Sequence, residues 1–124
     1  MSNLNYILLA VRNPLASAEI YDQVFGAKPV ERAKTFVLYV LPNGLRVGLW
    51  ASADVKPEPR PAGGVELSFT CPDKAGVLAT CEAWKKLGLQ VMQEPTNMDF
   101  GFTCVLADAD GHRLRPFVLN DNPR

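Results

Sequence analysis

The chain has 124 residues and no formal net charge, with 48% hydrophobic and 21% charged residues. This length predicts a single domain over residues 1–124 with its own hydrophobic core. The sequence has no run of like charges and no apolar stretch of about 18 residues, which argues against nucleic-acid and membrane partners. The cysteines are odd in number and widely spaced, and no signal peptide is recognisable. We therefore expect a reduced, cytoplasmic protein.

The first half of the sequence predicts a β-α-β-β-β unit over about residues 4–50. Asn13-Pro14 is typical of a helix start and Gly26 of a helix end, while Asn43-Gly44 predicts a hairpin turn. The predicted strands are Tyr6 to Val11, Val30 to Arg32, Phe36 to Leu41 and Leu45 to Trp50. The predicted buried stripe of the helix contains Leu15, Ala18, Asp22 and Phe25, with Tyr21 beside it.

The second half repeats this order over about residues 64–119, with a second hairpin turn at Asp110-Gly111. The helix starts at Pro72-Asp73 and ends at Gly88. The predicted strands are Val65 to Cys71, Gln90 to Gln93, Phe102 to Ala107 and Arg113 to Leu119, with a loop from Glu94 to Phe100. The predicted buried stripe contains Val77, Cys81, Trp84 and Leu87. Residues 51–63 are proline-rich and connect the units, either as a plain linker or as a lid over a pocket.

Four short segments carry a resemblance to a known family. They are Val11 to Pro14, Ile20 to Gly26, Gly63 to Leu67 and Asp108 to His112. In this order and spacing they resemble the vicinal oxygen chelate superfamily, also called the glyoxalase/bleomycin resistance/dioxygenase family. The resemblance implies an α+β fold in which two βαβββ units form a cupped mixed sheet with the helices on its outer face. It does not by itself assign an activity.

Within this family the sequence is most similar to small members that sequester antibiotics, especially phenazine-resistance proteins. The similarity lies in Gly48-Leu49-Trp50 and in the segment from Pro95 to Gly101. The resemblance implies a homodimer, because family members build cavities from paired units and often exchange them between chains.

Enzymes of this superfamily hold a divalent metal through the first and last strands of each unit. The resemblance places those positions at Tyr6, Gly48, Glu66 and Arg115. Glycine has no side-chain donor, and a protonated arginine repels a cation. The only histidine, His112, lies in a turn and off the ligand position. The pattern therefore predicts no metal, no other cofactor and no catalytic residue.

An ion pair between Glu66 and Arg115 and an aromatic cavity are predicted in place of the metal. Strand alternation places Gly48 and Trp50 on one face in the first unit, and Arg115 and Phe117 on one face in the second. Gly48 would leave room for a flat guest, and Arg115 would bind its carboxylate. The predicted ligand-binding residues are Trp50, Arg115, Glu66, Tyr6, Gly48, Phe100, Phe102, Phe117 and Met98.

These residues predict a metal-free protein that binds and sequesters a small planar aromatic compound. One alternative is a metal-dependent lyase or dioxygenase that uses an atypical ligand set including Glu66. Another is an interaction module whose cavity is filled by its own side chains. No serine or cysteine nucleophile with a histidine partner and no glycine-rich phosphate loop are recognisable in the sequence.

Overall fold

A computed structural model describes residues 2–121 of the chain. The described residues form two compact units that meet in sequence at Arg60 and Pro61. Each unit contains one helix and one four-stranded mixed sheet, in the order β-α-β-β-β. The predicted α+β class and the repeated unit are therefore confirmed. Neither of the helices in the described region is long and apolar enough to cross a membrane.

The first unit has the sheet order β1-β4-β3-β2, in which β1 is parallel to β4. Asn13 caps the helix by accepting a hydrogen bond from the Ala16 N–H at 3.2 Å, and Gly26 ends it with a φ of 62°. Both helix boundaries agree with the sequence prediction. The elements are β1 Tyr6–Val11, α1 Pro14–Phe25, β2 Glu31–Arg32, β3 Phe36–Val40 and β4 Arg46–Ala51, followed by a 3-10 turn at Ser52–Asp54.

The buried face of α1 differs from the predicted stripe. Pro14, Ala18 and Tyr21 are buried, whereas Leu15 is 37% exposed. These buried residues follow a spacing of four and three, so they share one face of the helix, and Leu15 lies about 100° away from Pro14. Proline at the first helical position supplies apolar surface to the core, and the prediction for Leu15 was wrong.

Asp22 is a carboxylate in the otherwise apolar stripe of α1, and β3 provides its partner. The Tyr39 hydroxyl donates a hydrogen bond of 2.5 Å to Asp22 Oδ1, and Arg32 Nη2 pairs with Asp22 Oδ2. Burial raises the pKa of Tyr39 above its ordinary value, and the hydrogen bond to Asp22 raises it further. A buried hydroxyl and a half-buried carboxylate thereby satisfy each other between helix and sheet.

The second unit has the sheet order β5-β8-β7-β6, in which β5 is parallel to β8. Asp73 caps its helix, because its Oδ1 accepts a hydrogen bond of 2.7 Å from the Gly76 N–H. Val77, Cys81 and Trp84 form the buried face, as predicted, and Leu87 at the end is half-buried. The elements are β5 Glu66–Thr70, α2 Lys74–Lys86, β6 Gln90–Met98, β7 Gly101–Ala107 and β8 Arg113–Leu119.

The predicted loop from Glu94 to Phe100 is largely a strand, because β6 continues to Met98. Thr96 pairs with Thr103 across β6 and β7, and the register shifts between Gln93 and Thr96. β6 is an edge strand, where a proline can direct its missing N–H away from the ladder. The prediction of a loop was wrong because this edge position, with its irregular register, accommodates Pro95 within a strand.

Candidate functional site

In the first unit, the predicted ligand-binding residues lie on β1 and β4. Tyr6 is 40% exposed and Leu8 is 51% exposed. Leu8 pairs with Gly48, which is buried. A β-carbon at Gly48 would lie 2.8 Å from Leu8 Cδ2 and 2.9 Å from Phe36 Cζ. Gly48 therefore permits close packing of these two side chains, and the prediction that it leaves room for a guest was wrong. Trp50 is half-buried and pairs with Phe36.

In the second unit, the sheet brings Glu66 and Arg115 together. Arg115 Nε donates a hydrogen bond of 2.7 Å to Glu66 Oε1, and Nη2 donates one of 3.3 Å to Oε2. The parallel register places Glu66 opposite Arg113 and Ser68 opposite Arg115, so the pair forms diagonally across β5 and β8. The ion pair predicted from the sequence is present.

The third nitrogen of the Arg115 guanidinium is also held within the unit. Nη1 donates to Gln93 Oε1 at 3.2 Å and to Thr103 Oγ1 at 3.3 Å, and lies 3.8 Å from Met98 Sδ. Glu66, Gln93, Thr103, Arg113 and Arg115 are called the polar centre below. Because Glu66 already occupies the bidentate edge of Arg115, the geometry contradicts the prediction that Arg115 binds the carboxylate of a guest.

The polar centre is only partly open to solvent, and this strengthens its electrostatics. The side chains of Arg115 and Glu66 are 17% and 26% exposed. The hydrogen bond from Arg115 lowers the pKa of Glu66 below its ordinary value; burial opposes this effect, and the charges of Arg115 and Arg113 add to the lowering. Glu66 is therefore ionised at neutral pH.

The polar centre does not suit the divalent metal that the family resemblance would imply. Both carboxylate oxygens of Glu66 accept from Arg115, and Arg113 Nε lies 3.3 Å from Oε2. A metal ion at this carboxylate would face two permanent positive charges at close range. Within residues 2–121, no three His, Cys, Asp or Glu side chains form a group that could hold a metal. His112 lies in the last hairpin turn, where its backbone N–H donates to Asp108 Oδ1 at 2.8 Å.

The aromatic residues predicted to line one cavity lie on different faces of the second sheet. Phe117 pairs with Thr103 and so shares a face with Arg115. Phe102 pairs with Val118, on the other face, and its ring centroid lies 5.5 Å from Lys74 Nζ of α2. The prediction that Phe102 and Phe117 form walls of the same cavity was wrong, because adjacent residues of β7 alternate between faces.

Of the other two predicted residues, Met98 ends β6 and Phe100 lies in the turn between β6 and β7. Phe100 is half-buried, and its carbonyl oxygen accepts a hydrogen bond of 2.9 Å from the Asn120 N–H. Met98 is 41% exposed, and its sulfur also accepts from Gln93 Nε2 at 3.5 Å. Of these two, only Met98 contacts the polar centre through interactions described above.

Gln93 and Thr103 belong to the polar centre but were not among the predicted site residues. Thr103 is fully buried and donates a hydrogen bond of 2.7 Å to the Pro116 carbonyl oxygen. Thr103 could have been identified from the sequence, because it directly follows Phe102 in a predicted strand and its side chain therefore lies on the opposite face from Phe102. Gln93 carried no such signal, because its position depends on the irregular pairing of β6 with β7.

The chain is similar to a protein from Agrobacterium tumefaciens whose solution structure was determined by NMR, with 40% identity and a TM-score of 0.90 over 97% of this chain and 99% of that chain. It also resembles a glyoxalase-related enzyme from Fulvimarina pelagi, with 23% identity and a TM-score of 0.84 over 95% of this chain and 88% of that chain. At that identity the likeness concerns the fold alone.

A glyoxalase/bleomycin resistance protein/dioxygenase family enzyme from Burkholderia phytofirmans has the same fold, with 19% identity and a TM-score of 0.84 over 96% of this chain and 100% of that chain. A comparison with curated proteins finds no match. The sequence profile of the Glyoxalase/Bleomycin resistance protein/Dioxygenase superfamily matches residues 3–115. The chain therefore belongs to the glyoxalase/bleomycin resistance protein/dioxygenase superfamily.

Proposed function

We propose that this protein binds and sequesters a small planar aromatic compound without a metal, as phenazine-resistance proteins do. The observation that carries the proposal is the bidentate pair of Glu66 and Arg115, at 2.7 and 3.3 Å. The carboxylate most suited to ligate a metal is engaged by a guanidinium, which cannot be deprotonated in a protein. This arrangement favours binding over metal-dependent lyase or dioxygenase chemistry.

The planar side-chain groups of the second sheet favour an aromatic ligand. Phe117 lies on the same face of the second sheet as Arg115, whose guanidinium is planar and fixed by its hydrogen bonds. A guanidinium can stack on an aromatic face, and each aromatic pair contributes about 0.5–1.5 kcal/mol beyond the buried area. In the first unit Trp50 is half-buried at the end of β4, and we propose it separately as a ligand-binding residue.

A tryptophan-fluorescence titration of EDTA-treated protein with phenazine-1-carboxylate tests the proposal. The chain has two tryptophans. Trp84 is buried in α2, with its ring centroid 4.9 Å from that of Phe69, and provides a constant background. We expect saturable quenching in the wild type. In the Trp50→Phe variant, most of the signal should be lost.

Isothermal titration calorimetry of the wild type and of Trp50→Phe distinguishes binding that does not change the fluorescence from an absence of binding. If calorimetry and fluorescence both show no binding, the alternative of an interaction module with a filled cavity replaces the proposal. If binding requires added Mn²⁺, Ni²⁺ or Zn²⁺, the enzyme alternative replaces the proposal. If the protein binds the compound in the presence of EDTA and Trp50→Phe binds it more weakly, the result supports an aromatic ligand and Trp50 as a ligand-binding residue.

We further propose that the protein is a homodimer that acts in the cytoplasm. Cys71, Cys81 and Cys104 are all free thiols, as expected in a reducing compartment. Light scattering after gel filtration measures the mass directly. A mass of one chain at micromolar concentration would contradict the homodimer, and it would leave the binding proposal to the titration above.

A further inference from the structure

Arg113 has a positive charge that its partner in the polar centre does not neutralise. Its Nε lies 3.3 Å from Glu66 Oε2, at ion-pair distance. The angles do not allow a hydrogen bond there, and this buried nitrogen has no hydrogen-bond partner. The Arg113 side chain is nevertheless 40% exposed. The residue is thus anchored at its base while other parts of the side chain reach solvent.

The polar centre has one more positive than negative charge, so it can bind one further anion. Two guanidinium groups share the single carboxylate of Glu66, and Arg115 takes both of its oxygens in hydrogen bonds. Gln93 and Thr103, the other partners of Arg115, are uncharged. The surplus positive charge therefore belongs to Arg113, the arginine with the more exposed side chain.

We propose that Arg113 binds the carboxylate of an aromatic acid, while Arg115 stacks against its ring. This inference rests on the proposed function and names the ligand class: a planar aromatic monocarboxylate. A guanidinium binds a carboxylate by charge-assisted, often bidentate hydrogen bonds. Arg115 cannot form such a bidentate pair with a guest, because each of its three guanidinium nitrogens already donates a hydrogen bond within the unit, and its flat face is left for stacking.

The spacing along β8 suits a guest of this shape. Arg113, Arg115 and Phe117 alternate on one face of the strand, and four residues of strand span about 13 Å. A tricyclic aromatic acid has a comparable long dimension. Its carboxylate would lie at Arg113 and its far ring at Phe117, with Arg115 under the middle.

The test compares an acid with its neutral amide. EDTA-treated wild-type protein is titrated by calorimetry with phenazine-1-carboxylate and with phenazine-1-carboxamide, which have the same rings. We expect the wild type to bind the acid about tenfold more tightly or better, as for a hydrogen-bonded charge pair. Arg113→Gln should reduce this preference to within about twofold, because it weakens binding of the acid more than binding of the amide.

A matched control removes one positive charge elsewhere in the same unit. Lys86 is exposed at the end of α2, and Lys86→Gln should keep the full preference for the acid. Circular dichroism and thermal unfolding establish that each variant is folded. Arg113→Lys, which keeps the charge but loses the planar fork, should retain part of the preference.

Four outcomes overturn the inference. Equal wild-type affinity for acid and amide would show that no anion site exists, while sequestration itself would stand. A preference that survives in Arg113→Gln would assign the anion to another group. An equal loss of both ligands in folded Arg113→Gln would make Arg113 a structural residue. If the wild type binds neither compound, the proposed function fails, and this inference fails with it.

Discussion

Arg115 Nε and Nη2 donate to the two carboxylate oxygens of Glu66, at 2.7 and 3.3 Å, and join β8 to β5. The pair is more sheltered than an ordinary surface ion pair, because its side chains are 17% and 26% exposed. Removal of Glu66 would leave the partly buried charge of Arg115 without its carboxylate, whereas removal of Arg115 would leave Glu66 with Arg113 as its only ion-pair partner described above. The penalty for leaving a sheltered charge poorly paired is larger than the net stabilisation from the pair.

Arg115→Met should lower the free energy of unfolding by about 1–3 kcal/mol, because Glu66, Gln93 and Thr103 all lose a charged donor. Urea unfolding measures the change, and a double-mutant cycle with Glu66→Gln isolates the coupling. Wild-type stability in Arg115→Met would contradict this account of the polar centre.

The exposed pair of Glu82 and Lys85 on α2 provides the control for that cycle. Its atoms lie 3.8 Å apart, and both side chains are more than half exposed. Pairs of this kind contribute about 0.2–1 kcal/mol at most. The coupling in the polar centre should therefore clearly exceed the coupling between these two residues.

The stability contributed by Glu66 should disappear in acid. Because the folded-state pKa of Glu66 is lowered from its ordinary value of 4.5, this contribution is present above that value and is lost as the pH falls through the folded pKa. The difference in unfolding free energy between wild type and Glu66→Gln should be largest near pH 7. Urea titrations at several pH values between 7 and 3 measure it, and a difference independent of pH would disprove the assignment.

Cys104 should be unreactive in the folded protein. Burial, followed by interactions with Cys81 and Cys71, raises the pKa of Cys104 to about 12. At pH 8 the thiol is therefore protonated as well as inaccessible, and only the thiolate is nucleophilic. Ellman's reagent should label it only after denaturation, when all three cysteines react. Fast labelling of native wild type that is absent in Cys104→Ala would contradict the prediction.

Two glycines should differ in their tolerance of alanine. At Gly48 a β-carbon would meet the ends of Leu8 and Phe36, which can move, so we expect a loss of about 1–2 kcal/mol. At Gly101 it would meet the backbone carbonyl oxygen of Val118, so we expect a loss of about 3 kcal/mol or more. Thermal or urea unfolding measures the loss of stability in each variant. A larger loss in Gly48→Ala than in Gly101→Ala would show that the second sheet adjusts to an added β-carbon more easily than the first.

The sequence was sufficient for elements whose limits are set by local chemistry. β1 and β8 have the predicted bounds, Asn13 caps α1 as predicted, and Asp73, which was predicted to open the second helix, caps α2. A capping side chain bonds within three residues of itself, so a short window contains all the information. The Glu66–Arg115 pair was predicted because the family resemblance implied adjacent strands.

Features that depend on strand register were not predictable in the same way. The continuation of β6 to Met98 requires pairing with β7 across an irregular register. The separation of Phe102 from Phe117 also follows from that pairing, since a shift of one residue exchanges the two faces of a strand. Gly48 was misread for a related reason, because only the packed structure shows that Leu8 and Phe36 fill the space above it.

The hydrogen bonds of Arg115 have a consequence for the entropy of recognition. A free arginine loses about 2 kcal/mol of rotamer entropy when it is immobilised. In this chain Glu66, Gln93 and Thr103 immobilise it during folding. Any molecule that binds on this face therefore meets a preorganised cation, and its affinity is not reduced by the ordering of that side chain.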